Sequence, residues 1–159
     1  MKDEILILRD PRESARKCSL TPLRGQAGIR FETFHPERRL DASGRILLHP
    51  DGEELSAADR ERPILLVDCA WRRLPTLLRN VDGDPAPRRL PTLETAYPRR
   101  SRFFVDPSDG LASVEALFAV LALLGRPRSE LLDGYPWREL FRARNPRLFA
   151  PGAQRARER

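Results

Sequence analysis

The stretch PILLVDCAW at residues 63–71 decides the fold class of this chain. Residues 64–67 form a continuously apolar block rather than an alternating one, which is typical of a parallel strand that is covered on both faces. Asp68 and Trp71 follow at the carboxyl end of that strand, where open α/β sheets bind their ligands. The stretch therefore predicts an α/β fold with a small-molecule site at the end of this strand.

Both residues also have a purely structural interpretation. Asp68 can cap the helix that follows the strand, and Trp71 can pack into the core. The sequence leaves these alternatives open. The hydrogen-bond partners of Asp68 and the exposure of Trp71 distinguish them.

Composition indicates a globular protein of one domain, or one domain with a small appendage, since the chain has 159 residues with 40% apolar and 33% charged content. The most apolar stretch, residues 116–124, is too short to cross a bilayer, and the amino terminus lacks the features of a signal peptide. We therefore expect a cytoplasmic protein without membrane contact. Cys18 and Cys69 match no paired metal-ligand spacing, and only His35 and His49 accompany them. We expect reduced structural thiols and no metal site.

The positive charge is concentrated in two stretches. All of the 29 basic residues except Lys2 and Lys17 are arginines, and the net charge is +6. Eight arginines lie within residues 72–102 and seven within residues 138–159, with few acidic residues between them. Arginine binds phosphate bidentately, so this distribution favours an RNA partner. Solvated helix faces would produce a similar pattern.

The pattern along the chain predicts alternating strands and helices, which is typical of an α/β domain preceded by a strand-rich amino-terminal lobe. Predicted strands lie at residues 5–8, 28–34, 45–48 and 64–67. Predicted helices lie at residues 57–62, 72–80, 113–124, 129–132 and 136–144. Ser56 and Asp59 have the spacing of a capping box at the start of the first of these helices.

The stretch from residue 81 to 102 is rich in proline, aspartate and arginine, and it predicts a long surface loop with a little helix at residues 91–95. A further strand is predicted at residues 102–105. We expect a strand-rich lobe over residues 1–55, a cofactor-binding α/β domain over residues 56–150, and a disordered basic tail over residues 151–159.

Six short elements, in order between residues 10 and 148, resemble the small-subunit ribosomal RNA aminocarboxypropyltransferases. They are Asp10-Pro11 with Lys17-Cys18-Ser19, Leu48-His49-Pro50, Leu55-Ser56-Ala57-Ala58-Asp59-Arg60-Glu61, Asp68-Cys69-Ala70-Trp71, Arg88-Arg89-Leu90-Pro91-Thr92-Leu93 and Leu111-Ala112-Ser113-Val114-Glu115-Ala116. Each element is weak alone, but their common order indicates homology. The tRNA-uridine aminocarboxypropyltransferases with an Asp-Thr-Trp signature share the last element and are a competing assignment.

One loop departs from the family pattern. Family members carry Ala-Asn-Pro-Val-Asn-Tyr-Gly after the Arg-x-Leu-Pro element, whereas this chain has Ala96-Tyr97-Pro98-Arg99-Arg100-Ser101. By the resemblance this loop borders the cofactor side of the site. The change is compatible with a different RNA substrate and also with a non-catalytic assembly factor that keeps the fold.

The resemblance implies transfer of a 3-amino-3-carboxypropyl (acp) group from S-adenosylmethionine to a modified uridine in small-subunit rRNA. Asp68 would act as general base on the uridine nitrogen. Leu48, Pro50 and Trp71 would surround the adenine and the sulfonium, with a cation–π contact from the Trp71 ring. Ser19 would bind the methionyl carboxylate and Leu90 the ribose through its backbone, and Ser113 completes the expected cofactor-binding residues.

The resemblance also implies a SPOUT-like fold whose carboxyl-terminal chain is knotted around the cofactor, a monomeric state and a role in ribosome biogenesis. Methyl transfer from the same cofactor is a further alternative. Glu115 is interpreted as a first-turn glutamate that stabilises its helix by charge–dipole attraction rather than as a catalytic group. The arginines expected to face RNA are Arg72, Arg73, Arg88, Arg89, Arg99, Arg100 and Arg102.

Overall fold

The computed structural model describes residues 3–14, 18–98 and 110–150. These residues form two compact units, one within Met1–Glu54 and Glu61–Arg89 and the other within Leu55–Arg60 and Leu90–Arg159. The division differs from the boundary expected after residue 55, because the strand at residues 64–68 belongs to the central sheet of the first unit. The strand predicted at residues 102–105 and the tail at residues 151–159 lie outside the described residues.

The first unit is built on a five-stranded, fully parallel sheet. Its strands are β1 (Ile5–Arg9), β2 (Ile29–Thr33), β4 (Ile46–Glu54), β5 (Ile64–Asp68) and β7 (Ala86–Arg89), in the order β2-β1-β5-β4-β7. A second, two-stranded parallel sheet pairs β3 (Leu40–Asp41) with β6 (Val81–Asp82). The parallel topology confirms the prediction from the continuous apolar block.

The strands β1 and β5 lie at the centre of the sheet, paired from Ile5 opposite Ile64 to Arg9 opposite Asp68. All five residues of β1 are buried, because a central parallel strand is covered on both faces. The core on one side of the sheet includes Leu6, Leu8, Phe34, Ala42, Leu47, Leu65 and Leu77. This packing fixes where the two strands end.

Short helices follow the strands of the first unit. A 3₁₀ helix spans Thr21–Leu23, another spans Trp71–Arg73, and α1 (Leu74–Leu78) continues directly from the second. The helix predicted at residues 72–80 is therefore confirmed in shorter form, with Pro75 in its first turn.

The second unit is helical. It contains α2 (Ser113–Leu123), α3 (Arg138–Arg144), α4 (Pro146–Phe149), and 3₁₀ helices at Ala57–Asp59 and Ser129–Leu132. Ser56 accepts a hydrogen bond from the amide of Ala58 at 3.3 Å and Asp59 accepts one from the amide of Ser56 at 3.1 Å, which confirms the capping box. Helix α2 is buried on most of its surface, as its continuous apolar sequence predicts.

The prediction of a loop from residue 81 onwards was wrong for its first part, because β6 and β7 lie there. Strand β7 tolerates Pro87 since it is an edge strand of the sheet. It also runs so close to β4 that a Cβ atom on Gly52 would lie 2.5 Å from the backbone nitrogen of Arg88. The proline and arginine content of residues 86–89 was misleading, because it does not indicate a strand. Gly52 of the partner strand β4 has no side chain, and this leaves room for β7.

The helix predicted at residues 91–95 was also wrong, since this segment has no regular secondary structure. Side chains bind its backbone instead. Asn145 accepts a hydrogen bond from the amide of Glu94 at 2.9 Å and donates one to the carbonyl of Glu94 at 2.7 Å. These long-range bonds satisfy backbone groups that a helix would otherwise use.

Among the described residues, no helix has the length and apolar character that crossing a membrane requires.

Candidate functional site

The first unit has a topological switch point between β1 and β5. From β1 the chain continues to β2 on one side of the sheet, and from β5 it continues towards β7 on the other side. Such a point opens a crevice at the carboxyl ends of the two strands. We call the residues there, Arg9–Asp10 and Asp68–Cys69, the carboxyl edge.

Asp68 is bound by two side chains at this edge, and both reach the same carboxylate oxygen. Arg9 Nε donates to Asp68 Oδ2 at 3.2 Å, and Cys18 Sγ donates to Oδ2 at 3.1 Å. The side chain of Asp68 is 12% exposed. Among the described residues, none donates a hydrogen bond to Asp68 Oδ1. This leaves one oxygen of an ion-paired carboxylate available to a ligand.

Arg9 is the centre of this cluster. It is buried, its Nη2 lies 3.3 Å from Cys18 Sγ and 3.4 Å from Thr21 Oγ1, and its guanidinium lies 5.0 Å from the centroid of the Phe31 ring. Its Nη1 is buried and has no hydrogen-bond partner within the described part of the chain. A buried guanidinium nitrogen without a partner is costly, so this atom marks a place where an anionic or carbonyl group of a ligand would be stabilised.

Asp10 and Arg73 form a second ion pair at the carboxyl edge. Arg73 Nε donates to Asp10 Oδ2 at 2.9 Å, and the amide of Arg12 donates to Oδ1 at 3.1 Å. Burial opposes the charged form of Asp10, but the hydrogen bonds from Arg73 and Arg12 outweigh it and lower the pKa of this carboxyl. Nearby, burial and the charges of Asp68 and Asp10 raise the pKa of Glu13.

Both cysteines are free and lie beside these carboxylates. Burial, followed by the charges of Asp10, Glu13 and Asp68, raises the pKa of Cys69 to about 12. Burial and the charge of Asp68 also raise the pKa of Cys18. Both thiols are therefore protonated in neutral solution, so Cys18 acts as a hydrogen-bond donor rather than as a nucleophile.

Trp71 stands at the surface and not in the core, so the interpretation as a core tryptophan was wrong. The residue is 39% exposed and its ring centroid lies 5.5 Å from that of His49. The interpretation of Asp68 as a helix cap was also wrong, because Ala70 is the N-cap residue of Trp71–Arg73 and no side chain caps that helix. Both observations favour a ligand-binding role over a structural one.

Two further residues expected at the cofactor lie on β4 near Trp71. Strand β4 pairs with β5 only through Ile46 and Leu47, and its register with β7 shifts after Leu48. Leu48 is half-buried and Pro50 is exposed, with His49 between them in contact with Trp71. The structure therefore brings Leu48, Pro50 and Trp71 to one region of the first unit.

The remaining cofactor residues divide between the two units. Ser19 is half-buried and directly follows Cys18, the thiol donor to Asp68, in the first unit. Leu90 and Ser113 are half-buried and belong to the second unit, where Ser113 begins α2.

The arginines expected at RNA differ in their surroundings. Arg72 is exposed, whereas Arg73 is held by Asp10 and its side chain is 18% exposed. Arg88 lies 3.8 Å from Glu53, and Arg89 donates to the carbonyl of Gly52 at 3.3 Å. Arg73 therefore contributes to the carboxyl edge itself. Arg99, Arg100 and Arg102 lie outside the described residues.

Glu115 lies in the first turn of α2, as predicted, and it is also a buried acceptor in the second unit. Its carboxylate accepts hydrogen bonds from the amide of Ala112 at 2.7 Å, the amide of Ala96 at 2.9 Å, the Thr95 hydroxyl at 2.6 Å and the Tyr135 hydroxyl at 3.0 Å. Burial and the Glu115 charge raise the pKa of Tyr135. Glu115 thus joins α2 to the segment at residues 95–96 and to Tyr135.

The sequence did not indicate Arg9 as an important polar group, and it did not indicate the hydrogen bonds of Glu115 to residues 95–96 and to Tyr135. A charged residue that ends a fully apolar strand, as Arg9 ends ILIL, was the available signal. It becomes informative only when β1 is known to pair with β5, because that register places Arg9 opposite Asp68.

The described residues contain no cluster of three or more His, Cys, Asp or Glu side chains that could hold a metal ion.

Comparison with known proteins gives two informative matches. The chain is 30% identical over 132 residues to the 16S rRNA aminocarboxypropyltransferase of Halobacterium salinarum, which covers 81% of this chain and 74% of that relative. It also matches the solved structure of the SAM-dependent rRNA:acp-transferase Tsr3 from Vulcanisaeta distributa, with a TM-score of 0.66, 26% identity, and coverage of 89% of this chain and 78% of that one. No protein-family model matches the chain.

Proposed function

The chain belongs to the family of 16S rRNA aminocarboxypropyltransferases, and on that premise we propose that it transfers the acp group of S-adenosylmethionine to a uridine-type base in small-subunit rRNA. One observation carries the proposal. A carboxylate, Asp68, ends β5 at the switch point of the parallel sheet, and an exposed indole, Trp71, follows three residues later. A parallel sheet binds small molecules at this place.

The residues of the carboxyl edge and of the neighbouring β4 fit S-adenosylmethionine. Asp10 and Asp68 are already paired with Arg73 and Arg9, so we assign Glu13, the carboxylate beside them, to the ammonium group of the cofactor. The exposed Trp71 ring offers a cation–π surface, and Leu48 with Pro50 offers apolar surface beside it. Arg9 Nη1, for which the described residues offer no hydrogen-bond partner, provides a donor for a carboxylate, and we assign Ser19 to the same group.

When bound, S-adenosylmethionine supplies an activated carbon whose bond to sulfur breaks, leaving the electron pair on sulfur, as the bond to the base nitrogen forms. Asp68 receives the proton of that nitrogen on Oδ1, while Arg9 and Cys18 hold Oδ2. A positioned carboxylate base contributes typically about 10²- to 10⁴-fold. Alignment of the two reacting atoms by Trp71, Leu48 and Ser19 supplies much of the rest.

Several finer features are part of the same proposal and rest on the resemblance. We assign Leu90 and Ser113 to the ribose and methionyl side of the cofactor, and Arg72, Arg88 and Arg89 to RNA. We further propose a SPOUT-like fold with a knotted carboxyl-terminal segment, a monomeric enzyme, and action on a pre-ribosomal small subunit in the cytoplasm.

Two variants separate cofactor binding from transfer. Trp71→Ala should weaken S-adenosylmethionine binding by about 5- to 30-fold, the value of a desolvated cation–π contact, while Trp71→Phe should keep most of it. Calorimetry measures both. Unchanged affinity in Trp71→Ala would remove Trp71 from the site.

Asp68→Asn should keep the cofactor affinity and slow acp transfer by about 10²- to 10⁴-fold, because the amide cannot accept the proton. Asp82→Asn is the matched control, since Asp82 is a half-exposed carboxylate paired with Arg39 on the second sheet. Mass spectrometry of the modified RNA measures the product. Full transfer by Asp68→Asn would exclude the general-base role.

A further inference from the structure

The second unit carries a pair of partly exposed aromatic rings. Tyr97 and Trp137 contact each other edge to face, with ring centroids 5.3 Å apart at an interplanar angle of 68°. Neither ring is buried, and both remain partly open to solvent.

Helix α3 extends this surface along one side. Trp137, Leu140 and Arg144 are spaced by three and four residues, so they lie on the same face of the helix. Leu140 is 41% exposed, which is unusual for a large apolar side chain in this protein. We call Tyr97, Trp137, Leu140 and Arg144 the aromatic surface.

Arg144 gives the aromatic surface a positive charge. Its Nη1 donates a hydrogen bond to the carbonyl of Thr95 at 2.6 Å. Thr95 precedes Tyr97 by two residues, so the guanidinium lies beside the segment that carries this ring. Among the described residues, the bond to Thr95 is the only hydrogen bond of the Arg144 side chain. The segment from Arg138 to Ala150 contains four arginines and only one acidic residue, Glu139. The surroundings are therefore complementary to phosphate.

Buried side chains support the Trp137 ring. Tyr135 is buried, donates to Glu115 at 3.0 Å and contacts Trp137 edge to face with centroids 5.7 Å apart. Phe141, one turn after Trp137, is fully buried. A rigid aromatic group that is supported on one side and open on the other is suited to stacking on a flat ligand.

We propose that the aromatic surface binds an unpaired base of the RNA substrate by stacking, with Arg144 on the adjoining phosphate. Single-stranded RNA is recognised by this combination of exposed aromatic rings and arginine. The proposal rests on the proposed function for the identity of the partner as RNA. It adds an RNA-binding subsite on the second unit.

Binding of an unstructured oligoribonucleotide tests the proposal directly. Trp137→Leu should weaken binding by about 5- to 150-fold, the range for loss of one stacked base, and Trp137→Phe should keep most of the affinity. Tyr97→Ala should show a smaller loss than Trp137→Leu. A fully paired duplex of the same sequence should bind all variants equally, since its bases are not free to stack.

Two arginines of α3 provide a matched pair of charge variants. Arg144→Gln should weaken binding, whereas Arg142→Gln should leave it within about twofold, because Arg142 lies on another face of the helix, over the Phe149 ring at 4.8 Å. Equal losses in the two variants would indicate a general charge effect and overturn the assignment of Arg144.

The fluorescence emission of Trp137 provides a second test, because a purely structural role of this residue would not make its emission depend on added RNA. The chain has two tryptophans, so Trp71→Phe leaves Trp137 as the only indole. Stacking should quench its emission on addition of the single strand and not of the duplex. Absence of quenching, or unchanged affinity in Trp137→Leu, would overturn the proposal.

S-adenosylmethionine titration separates this proposal from the proposed function. Trp137→Leu should bind the cofactor like the unmodified chain, and a parallel loss would place Trp137 in the cofactor pocket instead and overturn the RNA assignment. If the unmodified chain itself bound no S-adenosylmethionine and transferred no acp group, the proposed function would fail while the stacking result still stood.

Discussion

At the scale of single residues, the site depends on how Asp68 is held. Both donors to its carboxylate, Arg9 and Cys18, reach Oδ2, so the side chain is fixed while Oδ1 stays available. Asp10, Glu13 and Cys69 are the other titratable groups close to this carboxylate. Arg9 is the positive charge in direct contact with it, and is therefore the positioning residue whose replacement should be most informative.

Replacing Arg9 should slow acp transfer by releasing Asp68 from its position. Arg9→Gln removes the ion pair that holds Asp68 Oδ2, so the reacting atoms are aligned less well. Arg9→Lys should retain part of the rate, because an ammonium group can still pair with the carboxylate. Rates of acp transfer by the two variants measure this.

If Arg9 acts by positioning Asp68, Arg9→Gln should cause little further loss of rate when Asp68 is already asparagine. A full additional loss in the double variant would contradict this role. Calorimetric titration of the same variants with S-adenosylmethionine provides the control for folding and for cofactor binding.

At the scale of secondary-structure elements, the ion pair of Asp10 and Arg73 connects β1 to the 3₁₀ helix after β5. The pKa of Asp10 is lowered in the folded protein, so its contribution to stability is present above the unfolded value of about 3.9 and is lost as the pH falls through the folded-state pKa. Acid should therefore weaken this connection.

Arg73→Met should reduce the free energy of unfolding at neutral pH, because Asp10 is left buried without its partner. The difference from the unmodified chain should shrink as the pH falls below about 3.9 and through the lowered folded-state pKa of Asp10, below which this carboxyl is protonated in both states. Urea unfolding at several pH values measures this. A difference that stays constant with pH would contradict the assignment.

Glu115 has the corresponding role in the second unit, where four donors meet one carboxylate. Glu115→Gln turns one acceptor oxygen into a donor that faces other donors, and should lower the free energy of unfolding by about 2–3 kcal/mol. Glu139→Gln on exposed α3 is the control and should change it by less than about 0.5 kcal/mol. Equal effects of the two substitutions would contradict the role of Glu115.

The elements that sequence predicted correctly are those with strong local signals. The apolar block before Asp68, the block at residues 5–8 and the apolar helix at residue 113 are specified by the pattern of their own residues. Strand β7 and the segment at residues 91–95 are specified by distant partners instead, Gly52 in one case and Asn145 in the other. No local pattern in Ala86–Arg89 or around Glu94 contains that information.

At the scale of the whole molecule, the chain forms two compact units, and the one with the parallel sheet does not end near residue 55. The sequence placed Asp68 and Trp71 correctly at the end of a parallel strand, because that depends on one continuous apolar block. It could not show that Arg9 lies opposite Asp68, because that depends on the pairing of two strands that are 59 residues apart in the chain. The resemblance to the transferases indicated the reaction, and the fold showed that Arg9 and Cys18 contact Asp68.

The central claim, acp transfer to RNA, is tested most directly by the fate of two labels on S-adenosylmethionine. The purified chain is incubated with small-subunit rRNA and cofactor labelled either in the carboxyl carbon of the methionyl group or in the methyl group. Transfer RNA serves as the comparison substrate. The account predicts that the carboxyl label enters the small-subunit rRNA and that the methyl label does not. Entry of the methyl label alone, or of neither label, would contradict it.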